Sequence, residues 1–326
     1  MSRHRNLFRT AVAEVRSHPQ FRSLRDSRLH EPVRILMNRL YERMGDPNGS
    51  FLRDFQAEGF HGRVFELACY AYLEEAGFSI NRSPVAPDFL VSRGNTQIAI
   101  EATTSNPPHG SDLDISLLAM PQLSEEEIFE KCSRQFPKRM ASILQRKLNH
   151  GYDALPQCAG KPLVLMVAPF FEAGAVFYSD DSLVDCLYGT GGLAARSAFF
   201  KRPEACPISA VLYCNQFTVP RFLRLSAKFD EMPEVVAVRR GTCYLGRDSS
   251  APELTNFEYR LGDSAAPDET WAQGVTLFLN PNATHELRAE ALPCTSVFSM
   301  PGGKLLRQVA GFHPVVSFMT IQVPGG

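Results

Sequence analysis

The chain has 326 residues, of which 44% are hydrophobic, and a formal net charge of −1. Its apolar content suffices for a large core in one elaborated domain or in two. Because the charges nearly balance, no overall cationic field recruits nucleic acid, and any such binding must be local. The sequence contains no uninterrupted apolar run of about 18 residues, so we expect no membrane-spanning helix. Its first residues do not resemble a signal peptide. The eight cysteines form no CxxC pair and several lie in apolar runs, so we expect a reduced, cytoplasmic protein.

The first 59 residues predict short helices that are rich in arginine. Only Glu14 and Asp26 are interspersed among the arginines Arg3, Arg5, Arg9, Arg16, Arg22, Arg25 and Arg28. A solvated helical face explains such a stretch more often than a phosphate-binding arm does. A helix over residues 60–77 follows and ends at Gly77, as a C-terminal glycine indicates. Residues 78–81 then predict a short strand.

Two further strands are predicted over residues 88–93 and 96–101. Gly94 and Asn95 lie between these apolar-rich runs. Glycine reaches the positive φ that tight hairpin turns require, so this dipeptide predicts a two-residue turn.

The turn sets which residues of the two strands face each other. If Arg93 faces Thr96, counting back places Asp88 directly opposite Glu101, with Cβ atoms about 4.5–5.5 Å apart. Two like charges there repel unless a cation, a proton or solvent offsets the repulsion, and a divalent metal ion explains the pair best. Thr103 returns to the same face by the two-residue period of a strand. The alternatives are a register shifted by one residue or a solvated edge.

A long helical region is predicted over residues 124–150. Ser124 and Glu127 have the spacing of a capping box, and Pro137 is expected to bend or restart the helix. Lys147 occupies the next position on an apolar stripe formed by Phe129, Cys132, Phe136, Met140 and Ile143. A lysine at a core-facing position either extends to the rim or reaches into a site. The same region holds three basic residues that either contact phosphates or form a solvated face, namely Lys138, Arg139 and Arg146.

Two continuous apolar runs, over residues 161–168 and 208–214, predict strands buried on both faces of a sheet. Short strand candidates follow at residues 235–239, 274–279 and 315–323. These patterns predict an α/β protein with three parts. They are a helical N-terminal extension (1–59), a core (60–220) and a C-terminal β-rich elaboration (221–326) that either completes the core sheet or packs on it.

The order of helix, strand, Pro-Asp, hairpin, Glu-x-x and helix resembles the core of the PD-(D/E)XK nuclease superfamily. The residues that carry the resemblance are Glu66, Pro87-Asp88 and Glu101-Ala102-Thr103. The wider strings at residues 55–60, 100–107 and 208–215 are similar to uncharacterised bacterial members. The resemblance covers roughly residues 60–215 and implies a restriction-endonuclease-like core, in which helices flank a central mixed sheet.

The resemblance also implies an activity, which is metal-dependent endonucleolytic hydrolysis of phosphodiester bonds, with DNA as the expected substrate. Asp88 and Glu101 would bind Mg²⁺, with Mn²⁺ as a substitute, and hard oxygen ligands suit that ion. Glu66 and the carbonyl of Ala102 would be additional ligands, although Glu66 equally fits an ordinary polar helix face. Nuclease domains of this type often act as dimers, so a homodimer is expected by analogy of fold.

One position departs from the family pattern. Thr103 stands where the family has a lysine that orients the attacking water and balances negative charge at the phosphate. Threonine can hydrogen-bond but carries no charge, and Lys147 is the candidate replacement. The departure keeps open one rival, a catalytically inactive nucleic-acid-binding or regulatory protein on the same scaffold. The near-neutral charge keeps open another, a structural or partner-binding protein whose acidic pair is accidental. The histidines show no zinc-binding spacing, so we expect no zinc site. His61 and His109 either lie near the carboxylate pair or are ordinary loop or capping histidines.

Overall fold

The computed structural model describes residues 6–106, 122–190, 198–231, 234–246 and 253–322. His109 lies outside these residues. The α-helices within them are α1 (Pro19–Asp26), α2 (Glu31–Met44), α3 (Phe51–Gln56), α4 (Phe60–Glu75), α5 (Glu125–Glu130), α6 (Phe136–Leu148), α7 (Val184–Tyr188) and α8 (Val219–Ser226).

The strands fall into two groups along the chain. The first group is β1 (Ser79–Asn81), β2 (Phe89–Arg93), β3 (Thr96–Thr104), β4 (Leu163–Ala168) and β5 (Ile208–Tyr213). The second group is β6 (Val236–Leu245), β7 (Leu254–Arg260), β8 (Thr276–Leu279), β9 (Ser296–Ser299), β10 (Leu306–Val309) and β11 (Phe312–Gln322).

A mixed sheet forms the centre of the protein, with strand order β1-β2-β3-β4-β5-β8-β9-β10. Strand β2 is antiparallel to both of its neighbours, β1 and β3, and β3, β4 and β5 run parallel. All six residues of β4 and all six of β5 are buried, which requires cover on both faces of the sheet. The predicted α/β class, with a large mixed sheet and helices, is confirmed.

The C-terminal region contributes strands to this same sheet. Strand β8 pairs antiparallel with β5, where Tyr213 faces Thr276, and β9 and β10 follow beyond it. The boundary that the sequence places at residue 220 therefore crosses a continuous sheet. Strands β6, β7 and β11 form a separate three-stranded sheet in the order β11-β6-β7.

Several arginines of the N-terminal helices are held by local contacts. Arg25 pairs with Glu14, its Nη1 lying 2.9 Å from Oε2, and Arg34 donates to the backbone carbonyls of Leu24 and Ser27. These contacts favour the interpretation of this region as a structural helical face. No helix in the described ranges is long and apolar enough to cross a membrane.

The helical region that contains α5 and α6 differs in part from its prediction. The capping box of Ser124 and Glu127 is present, and Pro137 lies in the first turn of α6. The backbone stays helical from α5 into α6, so Pro137 does not restart the helix. Residues Lys131–Gln135 form a π-helical segment between α5 and α6. Because a π-helix bonds residue i to i+5, it shifts the angular phase of the residues on either side. Phe129 is therefore 64% exposed, and the prediction of one apolar stripe through both halves is wrong.

Candidate active site

The β2–β3 hairpin brings two carboxylates together at the sheet. In the antiparallel pairing of β2 with β3, Arg93 lies opposite Thr96 at the turn and Phe89 lies opposite Ile100. Asp88 and Glu101 occupy the next pair of positions. The amide of Asp88 donates to Glu101 Oε2 at 3.2 Å, and the amide of Ala102 donates to Asp88 Oδ2 at 2.9 Å. Each carboxylate thus accepts a backbone hydrogen bond beside the other.

The environment of Asp88 disfavours its ionised form. Burial, the charge of Glu101 and the charge of Glu66 together raise the pKa of Asp88 to about 7. The carboxyl of Asp88 therefore holds its proton to a higher pH than an ordinary aspartate does. A divalent cation between the two carboxylates would favour the ionised form, because it supplies the opposite charge that the site lacks there.

Helix α6 delivers a positive charge to this pair. Lys147 Nζ donates to Glu101 Oε1 at 2.6 Å, and the lysine and glutamate side chains are 17% and 8% exposed. The buried Met140, Ile143 and Leu144 fix the inner face of α6, so that Lys147 one turn further on points toward the sheet. Of the two fates that the sequence left open for this lysine, the structure shows the one in which it reaches the site.

Glu66 belongs to a neighbouring network of arginines. Its Oε2 accepts from Arg63 Nη1 at 2.6 Å, and its Oε1 accepts a hydrogen bond from Arg82. Arg63 also pairs with Asp54 at 2.5 Å. Both oxygens of Glu66 are therefore engaged by guanidinium groups. This geometry disagrees with the expectation that Glu66 is a metal ligand and supports a role in holding the two arginines.

These groups line one cleft of about 410 Å³. All the residues expected at the site from the sequence line it, namely Glu66, Asp88, Glu101, Ala102, Thr103 and Lys147. Helix α4 closes one wall at Gly62, where an added Cβ would lie 3.5 Å from Thr104 Oγ1. The cleft is polar and carries charges of both signs, with Arg146 and His150 on the side of α6.

Some residues that line the cleft or contact its lining were not predicted. The Arg63–Glu66 pair has the three-residue spacing of a helical ion pair, and that spacing could have indicated it. Arg82 comes from the segment between β1 and β2, and no sequence signal points to it. Tyr152, in the turn after α6, is buried beside Glu101; burial, and then the charge of that carboxylate, raise the pKa of its phenol.

Three larger cavities lie elsewhere among the described residues, and none is lined by a buried carboxylate. One of about 790 Å³ lies between α2 and the end of α8, a second of about 570 Å³ lies at the start of α4, and a third of about 480 Å³ lies beside β9 and β10. His61 lines the second cavity and contacts His18 and Phe60, so it does not reach the carboxylate pair. A ligand site is usually the largest apolar pocket with convergent polar groups. We assign the site to the smaller cleft because the charged groups converge there.

The donor set of the cleft suits magnesium. The described parts of the chain contain no group of three or more His, Cys, Asp and Glu side chains arranged to hold a metal ion. Magnesium keeps several waters and is commonly held by one or two carboxylates together with substrate phosphates. Asp88 and Glu101 meet that requirement. Ala102 donates its amide hydrogen to Asp88, and its carbonyl remains a predicted ligand.

No protein-family model, curated protein or solved structure matches this chain. The assignment of the site therefore depends on its geometry and chemistry alone.

Proposed function

We propose that the protein is a metal-dependent nuclease that hydrolyses phosphodiester bonds of DNA. The observation that carries the proposal is the cluster of Asp88, Glu101 and Lys147, in which two carboxylates and one ammonium meet on the β2–β3 hairpin. This combination joins the ligands that Mg²⁺ prefers to a cation that can face a phosphate.

The order of elements around the cluster supports the same proposal at the level of the fold. Helix α4 comes first, then β1, then the β2–β3 hairpin, and then α5 and α6. This is the order on which the resemblance to the PD-(D/E)XK superfamily rests. We therefore propose a restriction-endonuclease-like core that spans these elements together with β4 and β5.

Each group of the cluster has a role in the proposed reaction. Asp88 and Glu101 would hold Mg²⁺, which supplies Lewis acidity and lowers the pKa of a bound water. Lys147 orients the attacking water and balances the negative charge that develops on the phosphate. Thr103 lies on the same strand two residues beyond Glu101 and is 9% exposed, so its hydroxyl can hydrogen-bond substrate or water but adds no charge.

A second function is favoured by one specific contact. The ammonium of Lys147 already occupies Oε1 of Glu101, and the oxygens of Glu66 are taken by arginines. If these contacts persist when a polyanion binds, the cleft recognises phosphate without a metal. The protein would then bind nucleic acid or act as a regulator without hydrolysing its ligand.

Cleavage of plasmid DNA separates the two functions. The purified protein is incubated with supercoiled plasmid and Mg²⁺ or Mn²⁺, beside the variants Asp88→Asn and Glu101→Gln. Nuclease activity predicts nicked or linear plasmid with the wild type and at least a hundredfold slower cleavage with either variant. Asp153→Asn is the matched control, because it removes an exposed carboxylate that does not line the cleft.

Calorimetry with Mg²⁺ on the same samples shows whether a variant that has lost cleavage has also lost metal binding. Cleavage that survives both carboxylate variants contradicts the site. Binding of DNA by the wild type with no cleavage in either metal supports the second function instead.

A further inference from the structure

The helix that carries Lys147 has an unusual charge content for this chain. Residues 131–149 contain six basic side chains and no aspartate or glutamate, whereas the whole chain has 34 Lys and Arg against 35 Asp and Glu. A local excess of cations in a chain without net positive charge is the pattern expected of a regional polyanion-binding surface.

The basic side chains of this stretch differ in how they are neutralised. Lys131 pairs with Glu172 at 2.5 Å, and Arg134 pairs with Glu130 at 3.1 Å. Further along, Lys138 and Arg146 are both exposed, and neither forms an ion pair with a carboxylate among the described residues. Among the described residues, therefore, no paired carboxylate neutralises Lys138 near the start of α6 or Arg146 near its end, at the cleft.

The three unneutralised or backbone-bound side chains, Lys138, Arg139 and Arg146, lie on two adjoining sides of α6, with Lys138 about 80–100° around the helix axis from the other two. Arg139 and Arg146 are seven residues apart, which is about two helical turns, so they project from the same side. Arg139 is held in place by hydrogen bonds to Ser105 Oγ and to the carbonyl of Asn106, just beyond β3. Lys138 precedes Arg139, and roughly 12 Å of helix separates Lys138 from Arg146 at 1.5 Å per residue.

The surface leads into the cleft. Arg146 and Lys147 both line the cleft, and Lys147 contacts Glu101 there. A chain of phosphates that lay along α6 would therefore meet first Lys138 and Arg139, then Arg146, and then the carboxylate pair. A single small anion would not span such a row.

We propose that Lys138, Arg139 and Arg146, here called the α6 basic face, bind the sugar–phosphate backbone of DNA and guide it into the cleft. The proposal rests on the proposed nuclease function and adds the surface by which the substrate is held. Contacts to phosphates position a nucleic acid without reading its sequence, so this face confers affinity that is independent of base sequence and sensitive to salt.

The test measures binding without cleavage. A fluorescein-labelled DNA duplex of about 20 base pairs is titrated with protein in EDTA, and anisotropy gives the affinity at several KCl concentrations. The double variant Lys138→Gln, Arg146→Gln removes two charges from the α6 basic face. The double variant Arg16→Gln, Lys304→Gln is the control, because both residues are exposed and have no carboxylate partner among the described residues.

Loss of two phosphate contacts should make the slope of log K against log salt shallower by about 1.8, at about 0.9 per contact, and weaken binding at low salt by roughly tenfold. The control should match the wild type. An unchanged slope in the test variant, an equal change in the control, or no binding by the wild type overturns the proposal.

The binding test and the cleavage test fail separately. If the wild type cleaves plasmid while the test variant keeps its slope, the α6 basic face is refuted and the nuclease function stands. If the slope falls as expected and no cleavage occurs with Mg²⁺ or Mn²⁺, the nuclease function is refuted and the binding surface stands.

Discussion

Replacing Lys147 by methionine should move three measurable quantities in different directions. The substitution keeps an unbranched, flexible side chain and removes the ammonium that lies 2.6 Å from Glu101 Oε1. Glu101 then loses its cation while it stays next to Asp88 in a largely buried position.

The size of the effect follows from the burial of the pair. Charge centres roughly 4 Å apart interact by about 4 kcal/mol at an effective dielectric constant of 20. Removing one partner of a buried pair costs about 3–5 kcal/mol, because the other charge remains buried. Since both side chains keep some solvent contact, we expect a loss near 3 kcal/mol and a Tm lower by roughly 5 °C.

Metal binding and cleavage should respond in opposite senses. Without the competing ammonium, Lys147→Met should bind Mg²⁺ at least tenfold more tightly, which is about 1.4 kcal/mol. The Mg²⁺-induced rise in Tm should therefore exceed that of the wild type. Cleavage should fall by about 10²–10³, because the charge that faces the phosphate is gone.

Calorimetry with Mg²⁺, thermal denaturation with and without metal, and a plasmid assay give the three readouts. Lys138→Met is the control for stability. Because Lys138 is exposed and has no carboxylate partner in the part of the chain that the structure describes, its loss should change the free energy of unfolding by less than about 0.5 kcal/mol. Weaker Mg²⁺ binding by Lys147→Met, or cleavage at the wild-type rate, would show that Lys147 does not share Glu101 with the metal.

Three further predictions concern buried carboxylates. Because burial and neighbouring charges raise the pKa of Asp88 from 3.8 to about 7, stability in metal-free buffer should fall as the pH rises between these values. Asp88→Asn should therefore have the higher Tm at pH 8, and a lower Tm there would refute the raised pKa. Glu66→Gln should lower the Tm, because Arg63 and Arg82 lose their charged partner, but should change the Mg²⁺ affinity measured by calorimetry by less than about twofold. A tenfold loss of affinity would show that Glu66 is a ligand. Burial alone would raise the pKa of Glu269, but nearby arginine charges lower it to about 2. Its stabilisation is thus complete above pH 4.5 and is lost as the pH falls toward 2. Glu269→Gln should lower the free energy of unfolding by about 3–5 kcal/mol at pH 7, because it leaves the buried Arg224, Arg239 and Arg221 without their carboxylate partner. An unchanged denaturation curve would refute this.

The parts of the site that the sequence predicted are those governed by local periodicity. The register of the β2–β3 hairpin follows from the two-residue Gly94-Asn95 turn and the alternation of a strand, and the structure has that register. Lys147 is 46 residues from Glu101, yet its direction follows from the apolar residues one turn before it in α6. Helical phase within a single element is a reliable guide to which side chains face the sheet.

The parts that the sequence did not predict depend on contacts between distant segments or on an irregular helical turn. Arg82 reaches Glu66 from another element, and no spacing rule links the two. The π-helical segment ahead of α6 broke the phase on which the position of Phe129 was predicted. Strands β9 and β10 are short, and their place beside β8 is set by long-range pairing rather than by their own residues.

The pairing of β5 with β8 has a consequence for how the chain reaches its native state. Along Ala210 to Tyr213 the edge of β5 is completed by Leu279 to Thr276, which are synthesised about sixty residues later. Until then a nascent chain displays an apolar strand with unpaired backbone groups, a surface to which other chains can add. The strands that carry the cleft and the strands that are made later thus belong to one continuous sheet. A fragment ending near residue 220 would keep every residue of the cleft and still be prone to aggregate.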